Sequence, residues 1–129
     1  MWRKRRAGKF PEDMLVALKI PYRVVDVCTG DMGQGQVYKN DIEAWMPSRK
    51  SYGETHSCSS FYEFQARRLQ IRYRDKDGNV KIAHTLNNTY VASPRILIPI
   101  MEIYQQADGS IKIPDVLRPY MGGQEYISA

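Results

Sequence analysis

An α+β fold, with an antiparallel β-sheet flanked by helices, is what this 129-residue sequence predicts. Several short strand-like runs are joined by turns rich in Gly and Asp, and stretches with helical spacing of apolar residues fall between them. Strand and helix do not alternate regularly, which disfavours a doubly wound parallel sheet and favours an antiparallel or mixed one. The length suits about one domain, and 43% hydrophobic with 11% aromatic residues is enough to give it a core.

The elements follow in order. In PEDMLVALKI, Met14, Leu15, Leu18 and Ile20 fall on one side of a short helix, with Pro11, Glu12 and Asp13 suited to its first turn and Pro21 ending it. YRVVDVC is rich in β-branched residues and predicts a buried strand, closed by the turn-forming TGDMGQG. In VYKNDIEAWMP, Ile42, Ala44 and Met46 alternate with Glu43 and Trp45, the period of a strand with one face on a core. SRKSYGE predicts a loop, and ETHSCSS a polar strand after it.

Phe61, Phe64, Arg68 and Ile71 recur at helical spacing, which predicts a helix over about residues 61 to 73. The Asp-Gly of RDKDGN marks a hairpin or turn, with VKIAHTLN as the strand that follows. A broad apolar face of Ile96, Leu97, Ile100, Met101, Ile103 and Tyr104 predicts a helix over about residues 93 to 106. Pro94 suits its first turn, whereas Pro99 removes the hydrogen bond to the carbonyl of Arg95 and predicts a kink. QADGS ends this helix, and IKIPDVLRPYMGG predicts an irregular, proline-punctuated close.

The formal charge of +5 is unevenly spread. Five of the 19 basic residues (Arg3, Lys4, Arg5, Arg6, Lys9) lie in the first ten positions with no acid among them, so the rest of the chain holds 14 of each sign. Residues 1–10 therefore read as a basic tail on a neutral domain over 11–129. A solvated end is the first reading of that tail; phosphate contact and a truncated targeting segment are the others. No apolar run approaches the roughly 20 residues of a membrane span, and the sequence reads as a soluble, cytoplasmic protein with no membrane partner. Cys28 and Cys58, with His56 and His84, are too few for a structural zinc site, and both thiols read as small buried hydrophobes.

Chemistry concentrates in two stretches. TLNNTYVASPR, residues 85–95, brings hydroxyls and two side-chain amides to the start of a helix that opens on Arg95, an arrangement suited to a small polar ligand and a phosphate. A turn or cap for Asn87, Asn88 and Thr89, and a surface ion pair for Arg95, are the plain structural readings. ETHSCS offers Glu54 and Ser57, a carboxylate with nearby hydroxyls of the kind that holds magnesium. Three apart in an extended strand, the two project to opposite faces unless the strand is bulged or ends there. TGDMGQGQ is neither GxGxxG nor a phosphate loop with its lysine, and its glycines read as turn residues. QARRLQIRYR reads as a solvated amphipathic helix before a nucleic-acid helix.

Taken in order, PYRVVDVCTGDMG, ETHSCSSFYEFQARRLQIRYR, HTLNNTYVASPR and EIYQQADGSIKIPDVLRPYMGG resemble one family: the C-terminal part of the catalytic domain of bacterial-type seryl-tRNA synthetases, class II aminoacyl-tRNA synthetases. The resemblance runs from about residue 13 to 123. It implies a partial class II catalytic core containing motif 3, and the ligation of serine to tRNA(Ser) through ATP-dependent activation to seryl-adenylate. Arg95 would be the motif 3 arginine that meets ATP, a catalytic role; Glu54 and Ser57 would hold the ATP phosphates through Mg2+; Asn87 and Thr89 would bind serine. Motifs 1 and 2 are not found in the sequence, so the resemblance implies an incomplete pocket, with a homodimer or the N-terminal portion of a synthetase as partner.

The sequence departs from the family at Asn88, where Gly or Ala is frequent, at His56, where Ser is frequent, and at Pro94 beside the arginine. MWRKRRAGKF does not match, which a start inside a longer gene or a frameshift would explain. A non-catalytic module that binds nucleotide or a synthetase partner is the alternative reading, and a basic-tail nucleic-acid binder a third.

Overall fold

Ile42, Ala44 and Met46 do alternate into a core: the three are 2%, 0% and 3% exposed on one face of a nine-residue strand, β2 (Tyr38–Met46). The computed structural model describes residues 11–128. The basic tail expected over residues 1–10 lies outside the described residues, as does residue 129.

β2 pairs antiparallel with β1 (Tyr22–Asp26) on one side and with β3 (Ser51–Tyr62) on the other; β6 (Thr85–Asn88) adds to β3, giving a four-stranded sheet in the order β1-β2-β3-β6. β4 (Arg72–Arg74) with β5 (Val80–Ile82), and β7 (Ile111–Lys112) with β8 (Tyr126–Ile127), form two small antiparallel pairs. A helix over residues 11–17 (α1) and a helix over Ser93–Tyr104 (α3) supply apolar residues to one face of the main sheet. Leu15, Leu18, Ile20, Ile42, Ala44 and Ile96 form the core there, and Tyr104 donates its hydroxyl to the carbonyl of Leu18 at 2.7 Å. The antiparallel sheet flanked by helices is thus observed.

Four expectations about helices and strands need correction. β1 is a strand but not a buried one: it lies at the sheet edge and Val24 is 47% exposed, because β-branched residues favour extended backbone whether or not a face is covered. The loop expected at SRKSYGE is confined to a 3-10 turn over Pro47–Arg49 and Lys50 in a left-handed conformation (φ 48°), so β3 begins at Ser51 and runs twelve residues. The helix expected over 61 to 73 is only α2, Phe64–Arg68. Tyr62 and Gln70 both take positive φ (44° and 53°), and the N–H of Ile71 closes back on the carbonyl of Ala66 at 2.9 Å, a helix stop that apolar spacing does not reveal. VKIAHTLN divides between β5 and β6, which belong to different sheets.

α3 continues through Pro99, whose ring is fully buried. The Asp-Gly hairpin joins β4 to β5 with Gly78 at φ 84°. Cys58 is buried, but Cys28 is exposed, contrary to the expectation for both thiols. Removing three carbons from the centre of the core should cost the most: Ile42→Ala is expected to lower stability by about 2–5 kcal/mol in urea denaturation, with β-sheet circular dichroism retained in the absence of denaturant.

Candidate functional site

The face of the sheet opposite the core is polar, and one irregularity decides what stands on it. Along β2 and β3, Ile42 pairs with His56 but Glu43 pairs with Glu54, so Thr55 is an extra residue in β3. Such a bulge resets the period of two. Glu54 and Ser57, which regular extension would place on opposite faces, therefore share one face. The condition attached to them in the sequence is met.

Thr55 is wholly buried, and its hydroxyl donates to the carbonyl of Ile42 at 3.1 Å, tying the extra residue back to β2. That donation commits the hydroxyl proton, so His56 Nδ1, 2.9 Å from Thr55 Oγ1, stands as donor in the contact. His56 is itself 1% exposed on the core side, with burial as the main cause holding its pKa below the ordinary 6.5; the backbone of Tyr90 pulls the other way.

Register fixes the remaining neighbours. Asp41 of β2 lies directly across from Ser57, and Lys39 across from Ser59. On the other side of β3, Asn87 of β6 lies across from Ser59, and the N–H of Thr89 bonds the carbonyl of Ser57 at 3.2 Å. Glu54, Ser57, Asn87 and Thr89 thus occupy neighbouring positions of one face. Lys39 and Asp41 form a largely buried ion pair at 3.1 Å beside them. Burial pushes the Asp41 carboxyl upward, opposed by its bond from Lys39 and reinforced by the charge of Glu54.

The ladder between β3 and β6 reaches only from Tyr62 back to Cys58. Beyond it the outer edge of β3 beside Glu54 carries no paired strand among the described residues, and there the start of α3 brings Arg95 Nη1 to 3.1 Å from Glu54 Oε1. The two side chains are 53% and 38% exposed, a pair worth little to stability and open to exchange with a ligand. A second arginine, Arg23, holds Glu43 at 2.6 Å on the same face. Over the far end, the turn before β2 folds back: Gln36 donates to Ser59 Oγ at 2.8 Å, and Gly35, at φ 87°, packs so closely on the Phe64 ring that a Cβ there would overlap it.

All five residues singled out in the sequence are therefore brought together. Asp41, Lys39 and Ser59 were not singled out, because only strand pairing shows that they share the face. Among the described residues no group of three or more His, Cys, Asp or Glu is arranged to hold a metal ion, and no helix is long and apolar enough to cross a membrane. Two clefts elsewhere, one at the β7-β8 end and an apolar one between α1 and α3, include none of the five.

A polar sheet face here carries a carboxylate, hydroxyls, amides and an arginine at a helix start. Residues 7–104 match the family model of the class II tRNA synthetase core domain (G, H, P, S and T), and the chain belongs to that family. Its similarity is to the serine-specific members. It is 57% identical over 116 residues to the serine–tRNA ligase of Deinococcus radiodurans, covering 90% of this chain and 27% of that protein. The fold superposes on seryl-tRNA synthetase from Pyrococcus horikoshii, solved with ATP, at a TM-score of 0.92 and 42% identity over 98% of this chain and 29% of the other. Cytoplasmic serine–tRNA ligase of Naegleria fowleri, solved with AMP, gives 0.85 and 36% over 96% and 30%. The chain spans less than a third of the length of these relatives.

Two outcomes follow from the bulge. Thr55→Val, which keeps shape but loses the hydroxyl, removes the buried bonds to the Ile42 carbonyl and His56 Nδ1 and should cost about 1–3 kcal/mol, while Thr55→Ser recovers most of it. Because His56 binds a proton more readily unfolded than folded, stability should fall as pH drops below 6.5 toward the lower folded value. Thermal melts at successive pH values should show that fall, and His56→Gln should flatten it.

Proposed function

We propose that the chain forms part of the nucleotide- and serine-binding site of a serine–tRNA ligase, whose whole activity is to activate serine with ATP to seryl-adenylate and transfer it to tRNA(Ser). The observation that carries this reading is the bulge at Thr55, which sets Glu54 and Ser57 on one face beside Asn87 and Thr89, with Arg95 against the carboxylate.

In this reading Arg95 neutralises ATP phosphate, its planar guanidinium suiting bidentate contact with phosphate oxygens. Glu54 and Ser57 fit Mg2+, which takes few protein oxygens and leaves positions for phosphate; when bound the ion would offset charge on the phosphates. Asn87 and Thr89 present an amide and a hydroxyl to the amino acid. The serine carboxylate attacks the α-phosphorus, a new acyl P–O bond forms, and the bond to pyrophosphate breaks. Such a displacement is accelerated by positioning and charge neutralisation, and the residues named here supply both.

The domain reading carries over: a basic tail over residues 1–10 and the partial catalytic domain over 11–129. Homodimerisation or association with the remainder of a synthetase, a cytoplasmic location, and tRNA(Ser) as partner belong to the same proposal. The reading that competes is a non-catalytic nucleotide- or partner-binding module.

Calorimetry with ATP and serine-dependent exchange of labelled pyrophosphate into ATP test it together. ATP should bind the purified chain, and Arg95→Ala should weaken binding about 10- to 100-fold, the range for a lost charge-assisted hydrogen bond. Exchange that requires serine and vanishes in Arg95→Ala identifies a working activation site. ATP binding without exchange marks the chain as a part of the site or a binding module, and a folded chain that binds no ATP overturns both.

A further inference from the structure

We propose that Asp41 supplies a further oxygen to the divalent cation faced by Glu54 and Ser57, so that the cation site extends from β3 onto β2; the inference rests on the nucleotide-site reading above. Its starting point is one atom. Asp41 is 8% exposed, and only its Oδ2 is engaged, by Lys39 Nζ at 3.1 Å. Oδ1 is fully buried with no hydrogen-bond partner. Burying a carboxylate oxygen without a donor or a metal is costly, and native structures rarely tolerate it without a reason.

The position of that oxygen supplies the reason. Asp41 lies directly across β2 and β3 from Ser57, and directly opposed residues of an antiparallel pair have Cβ atoms about 4.5–5.5 Å apart on the same face. Glu54 reaches this face through the bulge, on the diagonal from Asp41, a separation that side chains of this length span. Two carboxylates and a hydroxyl from two strands thus share one region of the face. A hard divalent cation takes such oxygens, and phosphate would fill the coordination positions that remain.

Each carboxylate already has one cation against it, but on one oxygen only. Lys39 engages one oxygen of Asp41, and Arg95, half exposed, engages one oxygen of Glu54. A cation between the two carboxylates would satisfy the buried Oδ1 and relieve the repulsion at once. Sequence spacing does not suggest Asp41 for this role, because it stands 13 positions before Glu54 and joins it only through strand register.

The test is titration of the isotopically labelled chain with Mn2+, followed by amide line broadening in NMR spectra. Amides of Asp41, Glu54 and Ser57 should broaden first, ahead of those of Asp75 and Asp77 in the β4-β5 turn, which serve as acidic controls. Asp41→Asn should raise the Mn2+ concentration for half-broadening about tenfold or more. Broadening of the wild-type chain that spares Asp41, or Asp41→Asn titrating like wild type while Glu54→Gln is weakened, overturns the proposal. Because Asp41 lies across from Ser57, Mn2+ held by β3 alone also broadens its amide, so the variants decide, with Asp41→Glu expected to titrate close to wild type as the carboxylate-keeping control. ATP titrated in the presence of a chelator separates the two readings. Shifts at Arg95 with no Mn2+ effect at Asp41 overturn this inference and leave the nucleotide site standing, whereas no response of this face to either overturns both.

Discussion

A strand holds its side chains to a strict period of two, and the polar face of this protein depends on breaking that period once. With Thr55 inserted between Glu54 and His56, the residues before and after it change phase. Were β3 regular, either Glu54 would turn toward Ile42 and Ala44 or Ser57 would. The bulge lets the half of β3 that pairs with β6 and the half that runs free beside α3 serve the same face. It is held locally by the Thr55 hydroxyl on the Ile42 carbonyl, and the chain of contacts continues into the buried imidazole of His56. A threonine and a histidine that belong to the core thus determine what the opposite face presents.

The two faces divide the physical work. On the core side, α1 and α3 cover Ile42 and Ala44, so burial there holds the sheet flat against its helices. On the polar side, Glu43 and Glu54 stand directly opposite one another, an unfavourable arrangement by itself. Each is met by its own arginine, Arg23 from β1 and Arg95 from α3. Arg23 also lies over the Tyr52 ring, which meets Trp45 edge to face, so this pair is braced by aromatic packing while the Arg95 pair is not.

Much of this was legible in the sequence, for identifiable reasons. Alternation at Ile42, Ala44 and Met46 is strong because one face is apolar and the other is not. The Asp-Gly turn and the Pro94 start of α3 are read from backbone preferences that tertiary structure seldom reverses. What was illegible depends on conformations that many residues can take: positive φ at Tyr62 and Gln70 cut short the helix suggested by Phe61, Phe64, Arg68 and Ile71. In ETHSCSS nearly every residue is small or polar, so hydropathy carries no phase and a bulge leaves no mark. The neighbours Asp41, Lys39 and Ser59 are distant in sequence and adjacent only through pairing, whereas Glu54, Ser57, Asn87, Thr89 and Arg95 were reached through likeness to a family.

The contact between Arg95 and Glu54 has an effect on how the site fills. Each group serves as the other's counterion, and the guanidinium is held toward the face, so a ligand there would cost little further rotamer entropy. An anion that captures Arg95 strips Glu54 of its neutralising charge, and a cation that captures Glu54 releases Arg95 for an anion. Thermodynamic linkage makes the two effects equal, so each ion raises the affinity for the other by the same factor. In the proposed site, a surface ion pair of this kind would favour joint arrival of a metal and a phosphate over either charge alone.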